Sequence, residues 1–368
     1  MNETARDERT RSERETVAGI GLVLAAIAMA GMAVPLRQGV DEPAVQVGLG
    51  CSLLAVAVFA GRRYDRLDRR YSLLGAVASF AVVALAGFAL NQGISATVSL
   101  VGITLPTVFV AFMASGVAIG IAVAEYGERT LTGLGQQLTL TTQLSVVAVV
   151  AWLMAAFVGV LFIQFGRGIW GDLTENQLRI ANQIGFAVAT GGIAIGYVYA
   201  TGRDWSFFDL RRPTLREIGW IAGGIVLIFL ANIAISFLFT SSGVEGAEHT
   251  ATQDVAQNPQ LLYVVIPASI LIVGPFEELF YRNVVQKSMY DVFSPVGALL
   301  VSSVIFAGVH YVAYAISGAA FGAVLASLAV VFGLSLVLGT VYLRTGNLFV
   351  PAIIHGLYNA IVFASVVL

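Results

Sequence analysis

Runs of about twenty apolar residues recur along this 368-residue chain, separated by short segments rich in arginine, glycine and acids. At 1.5 Å per residue, such a run crosses the ~30 Å hydrocarbon core of a bilayer as a helix. The pattern predicts spans near residues 17–36, 44–61, 71–90, 103–124, 142–165, 183–200, 218–239, 260–282, 296–313, 318–343 and 348–367. That makes about eleven transmembrane helices in an all-α, polytopic integral membrane protein. The sixteen residues from Met1 to Thr16 are polar and charge-dense and read as a solvated cytoplasmic tail that need not order. Their arginines alternate with acids, which makes a poor signal-peptide leader.

Composition agrees with the pattern. Hydrophobic residues make up 58% of the chain and charged residues only 11%, with a mean hydropathy of +0.85, which excludes a soluble globule. The net charge of −2 gives no sign of a nucleic-acid partner. Cys51 is the only cysteine, so no disulfide forms within one chain, and Lys287 is the only lysine.

Charge placement predicts the orientation. With the N-terminus inside, only Arg37, Arg167 and Arg179 of the 20 basic residues fall outside. This is a strong positive-inside bias. It predicts a multi-pass protein of the cell membrane with a cytoplasmic N-terminus and an outside C-terminus. The longest outer segment, Ser241 to Gln260, carries Glu245, Glu248 and Asp254 and no basic residue.

The chain divides near the basic segment 203–216. Residues 17–216 hold six spans whose interiors contain small polar residues but no acid, base or histidine, and their role is unassigned. Residues 217–368 hold five spans with every intramembrane ionisable group. An unpaired ionisable group in a span costs about 2.5 kcal/mol or more, so such groups usually face one another at a functional site.

Three patterns carry them: Glu277-Glu278-Leu-Phe-Tyr-Arg282, Phe306-Ala-Gly-Val-His310 and His355-Gly-Leu-Tyr-Asn359. Glu278 and Arg282 stand four apart with the acid first, the favourable order for an ion pair on one helix face. Glu277 is rotated by about 100° from Glu278 and remains a free carboxylate. Gly274-Pro275 removes a backbone hydrogen bond and predicts a kink that admits water. His355 and Asn359 share a face and can address one small volume. His249, the remaining histidine, reads as a solvated loop residue. One difficulty is depth: Glu277 lies about 25 Å from the outer start of its predicted span and His310 about 21 Å from the inner start of its own, so the two do not meet unless a boundary shifts.

In this order on successive apolar segments, the three patterns resemble the signature motifs of the CAAX-protease and bacteriocin-processing family (CPBP, or Abi), which includes the type II CAAX prenyl endopeptidases. The resemblance covers about residues 217–366 and implies an intramembrane protease domain over residues 217–368. It implies that Glu277 activates a water with help from His310, that His355 and Asn359 stabilise the oxyanion, and that Glu278 and Arg282 orient the site. Asn283 stands where members commonly have glycine. The family is read both as metal-free and as zinc-dependent; the metal-free reading is preferred, and a zinc site would use Glu277, His310 and His355. The implied partners are membrane lipid and a peptide or membrane-anchored protein substrate, prenylated in the CAAX case, reached from the cytoplasmic side. Two alternatives are a proton-coupled transporter or channel built on the buried Glu/His cluster and a non-catalytic peptide-binding member.

Overall fold

The computed structural model describes residues 3–94, 96–100, 103–316 and 318–367. Among these, ten helices are long and apolar enough to cross a membrane. They are α1 (Glu3–Arg37), α2 (Pro43–Arg63), α3 (Tyr71–Asn91), α4 (Thr107–Tyr126), α5 (Leu131–Trp170), α6 (Glu175–Ala200), α7 (Leu215–Ser241), α9 (Pro259–Lys287), α10 (Pro295–Ala315) and α11 (Phe321–Thr345). A short α8 (Thr250–Gln257) lies between α7 and α9. The eleventh apolar run is α12 (Phe349–Ser365), whose 17 residues reach only about 25 Å. The protein is a polytopic all-α membrane protein.

Three boundaries differ from expectation. The polar N-terminal segment is helical from Glu3, continuous with the apolar stretch that follows; Met1 and Asn2 lie outside the described residues. The fourth span starts at Thr107, because Thr97–Leu100 and Ile103–Pro106 pair as an antiparallel hairpin. The β-branched residues Thr97, Val98, Ile103 and Thr104 favour extended backbone, and Pro106 is the N-cap of α4. In the third case α9 continues to Lys287, five residues past its expected end. This extension moves Glu277 about 7 Å further from the inner end of its helix and removes roughly half of the depth mismatch with His310.

The chain forms two compact units, one up to Leu138 and one from Thr139, with the division between them inside α5. The physical reason is a shared core: Leu144, Ala148 and Ala151 of α5 and Ala194 and Val198 of α6 pack with Phe280, Val284 and Val285 of α9. In the first unit α1 to α4 bundle around alanines such as Ala28, Ala86 and Ala111. That unit also buries an acid, Glu125, whose Oε1 accepts a hydrogen bond from Arg62 Nε at 2.8 Å. The expectation of spans free of charge placed Glu125 one residue beyond the end of its helix.

Candidate active site

The site grows from α9. Asn258 caps its first turn by accepting from the Gln260 amide, and Pro259 occupies the first position, where no amide donor is needed. Inside the helix, Pro267 and Pro275 each lack a donor, and the backbone between them winds as a π-helix over Ser269–Val273, with a second π segment over Leu279–Lys287. The kink signal at Gly274-Pro275 thus takes the form of a local widening of the helix.

Gly274 serves a further purpose. A Cβ there would meet the Ala352 carbonyl oxygen at 2.6 Å and the Gly356 nitrogen at 2.8 Å, and a Cβ on Gly356 would meet the Ser269 carbonyl oxygen at 2.7 Å. Bare backbone on both sides lets α9 and α12 approach closely, as small residues do in membrane helix packing. This contact brings His355 to the acidic pair.

Glu278 is fully buried and bridges two partners. Its Oε2 accepts from Arg282 Nε at 2.6 Å, and its Oε1 accepts from His355 Nδ1 at 2.9 Å. Arg282, also fully buried, donates further to Ser335 Oγ of α11 at 3.2 Å, and its Nη1 lies 3.4 Å from Gln286 Oε1. The Arg282–Glu278 pair therefore does more than fix its own helix: it sets the tautomer and orientation of a histidine on another. With Nδ1 committed, His355 turns Nε2 toward Glu277, whose Oε2 lies 3.7 Å away. This is too long for a direct hydrogen bond, and at such a separation a shared water is the natural intermediary.

Glu277, His310, His355 and Asn359 all line one cavity of about 820 Å³. His310 donates through Nδ1 to the Phe306 carbonyl oxygen at 2.7 Å, which leaves Nε2 as its second ring position. The Phe306 ring sits against His310 at 4.6 Å and edge-on to Tyr281 at 4.8 Å between centroids, so the first residue of that pattern is a packing surface for the imidazole. A zinc site would need these donors drawn together. Among the described residues no three His, Cys, Asp or Glu side chains are grouped to hold a metal ion, and Glu277, His310 and His355 do not form a ready ligand set as they stand.

The cavity is directional. On α9 its wall runs from Tyr281 through Glu277 to Val265; on α11 it runs from Leu338 to Ala326; on α12 from His355 to Phe363. Beyond Tyr281, toward Lys287, the fully buried Arg282, Asn283 and Gln286 are not among the residues that line it. The other end is bordered by Gly246, Ala247 and His249–Thr252. The cavity therefore reaches the face that carries the 241–260 segment, opposite to the basic end where a cytoplasmic opening was expected.

His249 is corrected too. It is no solvated loop residue: it lines the cavity, accepts the Ala251 amide hydrogen at Nδ1 as the cap of α8, and packs edge-on against Tyr314 at 5.1 Å. Burial pushes its imidazole down to about 4, with His310, Asp254 and Arg179 as the neighbouring charges. Asn283, the departure from the family pattern, donates to the Phe207 carbonyl oxygen at 3.2 Å and to Tyr342 Oη at 2.8 Å. Lys287 Nζ joins it, at 2.8 Å from the same carbonyl and 2.7 Å from Asp209 Oδ2. The larger side chain thus ties the 205–209 segment to α9. Three supporting residues lie outside the sequence patterns: Ser335, Gln286 and Asn232, the last hydrogen-bonded to Tyr358 Oη. Their only signal in the sequence is a polar side chain inside an apolar span.

Fold and site together define a multi-pass membrane protein whose last helices enclose a buried glutamate–histidine–arginine network beside a cavity. Residues 259–361, from α9 through most of α12, match the family described as type II CAAX prenyl endopeptidase Rce1-like, a family of proteases that act on protein or peptide substrates. The match begins at the start of α9 and leaves out α7, which the motif resemblance from residue 217 had included. No curated protein and no solved structure matches the chain.

Proposed function

We propose that this protein is an intramembrane endopeptidase that hydrolyses a peptide bond with a water activated by Glu277. The observation that carries the reading is the Arg282–Glu278–His355 chain, which aims His355 Nε2 at the space beside Glu277 inside the cavity. Glu277 takes the proton as the water oxygen attacks the carbonyl carbon, then hands it to the leaving nitrogen. His310 helps hold the water through its second ring nitrogen. His355 when protonated, and the Asn359 carboxamide one helical turn further, donate to the oxyanion as it forms. The substrate is a peptide or a segment of a membrane-anchored protein; CAAX-type C-terminal processing is the narrower form of the reading, and it depends on which side of the membrane the cavity faces.

The test is cleavage of a peptide library by the purified full chain. Glu277→Gln is expected to abolish turnover, His310→Ala to reduce it strongly, and Asn359→Ala to reduce kcat by about 100–1,000-fold, the effect of losing one oxyanion donor. Undiminished cleavage by Glu277→Gln would overturn the reading. Activity lost to a chelator and restored by zinc would overturn its metal-free form. Proton-coupled flux in liposomes without cleavage would favour the transporter.

A further inference from the structure

Within the second unit, the helices that wall the cavity each rise from the site toward the same face of the membrane. The lining residues step from Tyr281 to Val265 toward the start of α9, from Leu338 to Ala326 toward the start of α11, and from His355 to Phe363 toward the end of α12. On α7 they step from Ile228 to Thr240, toward its end, and on α6 from Thr190 to Arg179, toward its start. On α10 they continue from Phe306 to Tyr314. These six directions point to the end of the unit where the 241–258 segment links α7 to α9, and that segment is itself fastened there. Ala247 N donates to the Ala323 carbonyl oxygen at 3.1 Å, Ser327 Oγ donates to the Ala247 carbonyl oxygen at 2.8 Å, and Asp254 pairs with Arg179.

The basic residues gather at the opposite ends. Arg203 follows α6, Arg211, Arg212 and Arg216 flank the start of α7, Lys287 closes α9 and Arg344 lies in the last turn of α11. On the cavity-mouth face the described residues of the unit hold only two basic side chains, Arg167 and Arg179. Orientation in a bilayer follows the count of Lys and Arg in short loops and is nearly blind to acids, so the salt bridges of Lys287 with Asp209 and of Arg211 with Glu217 do not weaken the bias. By that count the basic ends belong to the cytoplasm and the mouth to the other side.

From this convergence of cavity direction and charge we infer that the protease takes its substrate from the non-cytoplasmic face of the membrane. The polypeptides it acts on are exported or membrane-anchored chains with a segment on that face. A C-terminal tail presented in the cytoplasm meets the end of the unit that holds the buried Arg282, Asn283 and Gln286 rather than the opening. The inference rests on the protease reading for what the cavity does, while its sidedness rests on geometry and charge alone.

Single-cysteine chains test it. With Cys51 replaced by serine, Glu248→Cys places a thiol on the exposed mouth segment and Arg212→Cys places one on the exposed segment before α7. A membrane-impermeant maleimide applied to intact cells expressing the full chain is expected to label Glu248→Cys, and to label Arg212→Cys only after permeabilisation. Labelling of Arg212→Cys in intact cells, or of Glu248→Cys only after permeabilisation, would overturn the inference. The same labels read in the Glu277→Gln background keep the two readings apart: that variant is expected to lose cleavage and keep its labelling pattern. An enzyme that cleaves but labels from the other side sinks the sidedness alone.

Discussion

His355 Nδ1 donates to Glu278 Oε1 at 2.9 Å across 77 residues of sequence. The acid beside the candidate base is thereby shared between two helices, and the ion pair that secures α9 also positions the imidazole of α12. Removing one member of a buried pair leaves the other charge uncompensated, which costs more than the pair itself contributes.

For Glu278→Ala the expected result is therefore a loss of stability of about 3–5 kcal/mol, because Arg282 loses its carboxylate partner in a fully buried place. Glu278→Gln keeps the shape and is expected to retain more stability while still impairing turnover, since a neutral amide orients His355 less firmly. Denaturation in detergent together with kcat for both variants checks this. A Glu278→Ala protein as stable as the parent would show that the pair is not structural.

Close approach of α9 and α12 depends on two absent side chains. Gly356→Ala would put a methyl 2.7 Å from the Ser269 carbonyl oxygen and 2.8 Å from Ile270 Cα, both backbone atoms that cannot swing aside. A destabilisation of about 1–3 kcal/mol is expected from the overpacking. Activity should fall as well, because separation of the helices lengthens the His355–Glu278 bond. Gly192→Ala, where a Cβ meets nothing within 4 Å, is the control and should leave both quantities unchanged.

Acid sensitivity should trace to His249. The folded protein keeps this ring neutral down to about 4, whereas an unperturbed histidine takes its proton near 6.5. Between those values the unfolded chain binds the extra proton, so stability falls as pH drops through that window and levels off below it. The share belonging to His249 is on the order of 2 kcal/mol after allowance for its partial exposure. Denaturation midpoints between pH 4 and 7 should flatten in His249→Asn, which preserves a capping acceptor for α8. An unaltered pH profile in that variant would assign the sensitivity elsewhere.

Local physics makes much of this fold legible in the sequence alone. Apolar runs of bilayer length are self-declaring, and the Glu278–Arg282 pair follows from helix geometry within a single turn. What escapes is long-range. The bridge to His355 depends on two glycines from distant helices, Gly274 and Gly356, that allow α9 and α12 to touch, and nothing local marks that use of glycine. His249 reads as solvated because its sequence neighbours are polar, although the residues from His249 to Thr252 line the cavity. Arg282 and Lys287 look like a membrane-surface cluster in the sequence, while in the structure Arg282 is wholly enclosed. The division at 203–216 follows charge, whereas the compact unit follows the apolar core shared by α5, α6 and α9.

The height of the cavity imposes a rule of reach on whatever enters it. From Val265 near the mouth to Glu277 the wall of α9 rises by twelve residues, about 18 Å. An extended chain advances about 3.3 Å per residue, so roughly five residues must be threaded inward before a peptide bond stands beside the carboxylate. On the proposed protease reading, folded domains and tight turns would stop at the rim and only slack, unstructured tethers would be cut, which would make local unfolding of the target a condition of its cleavage.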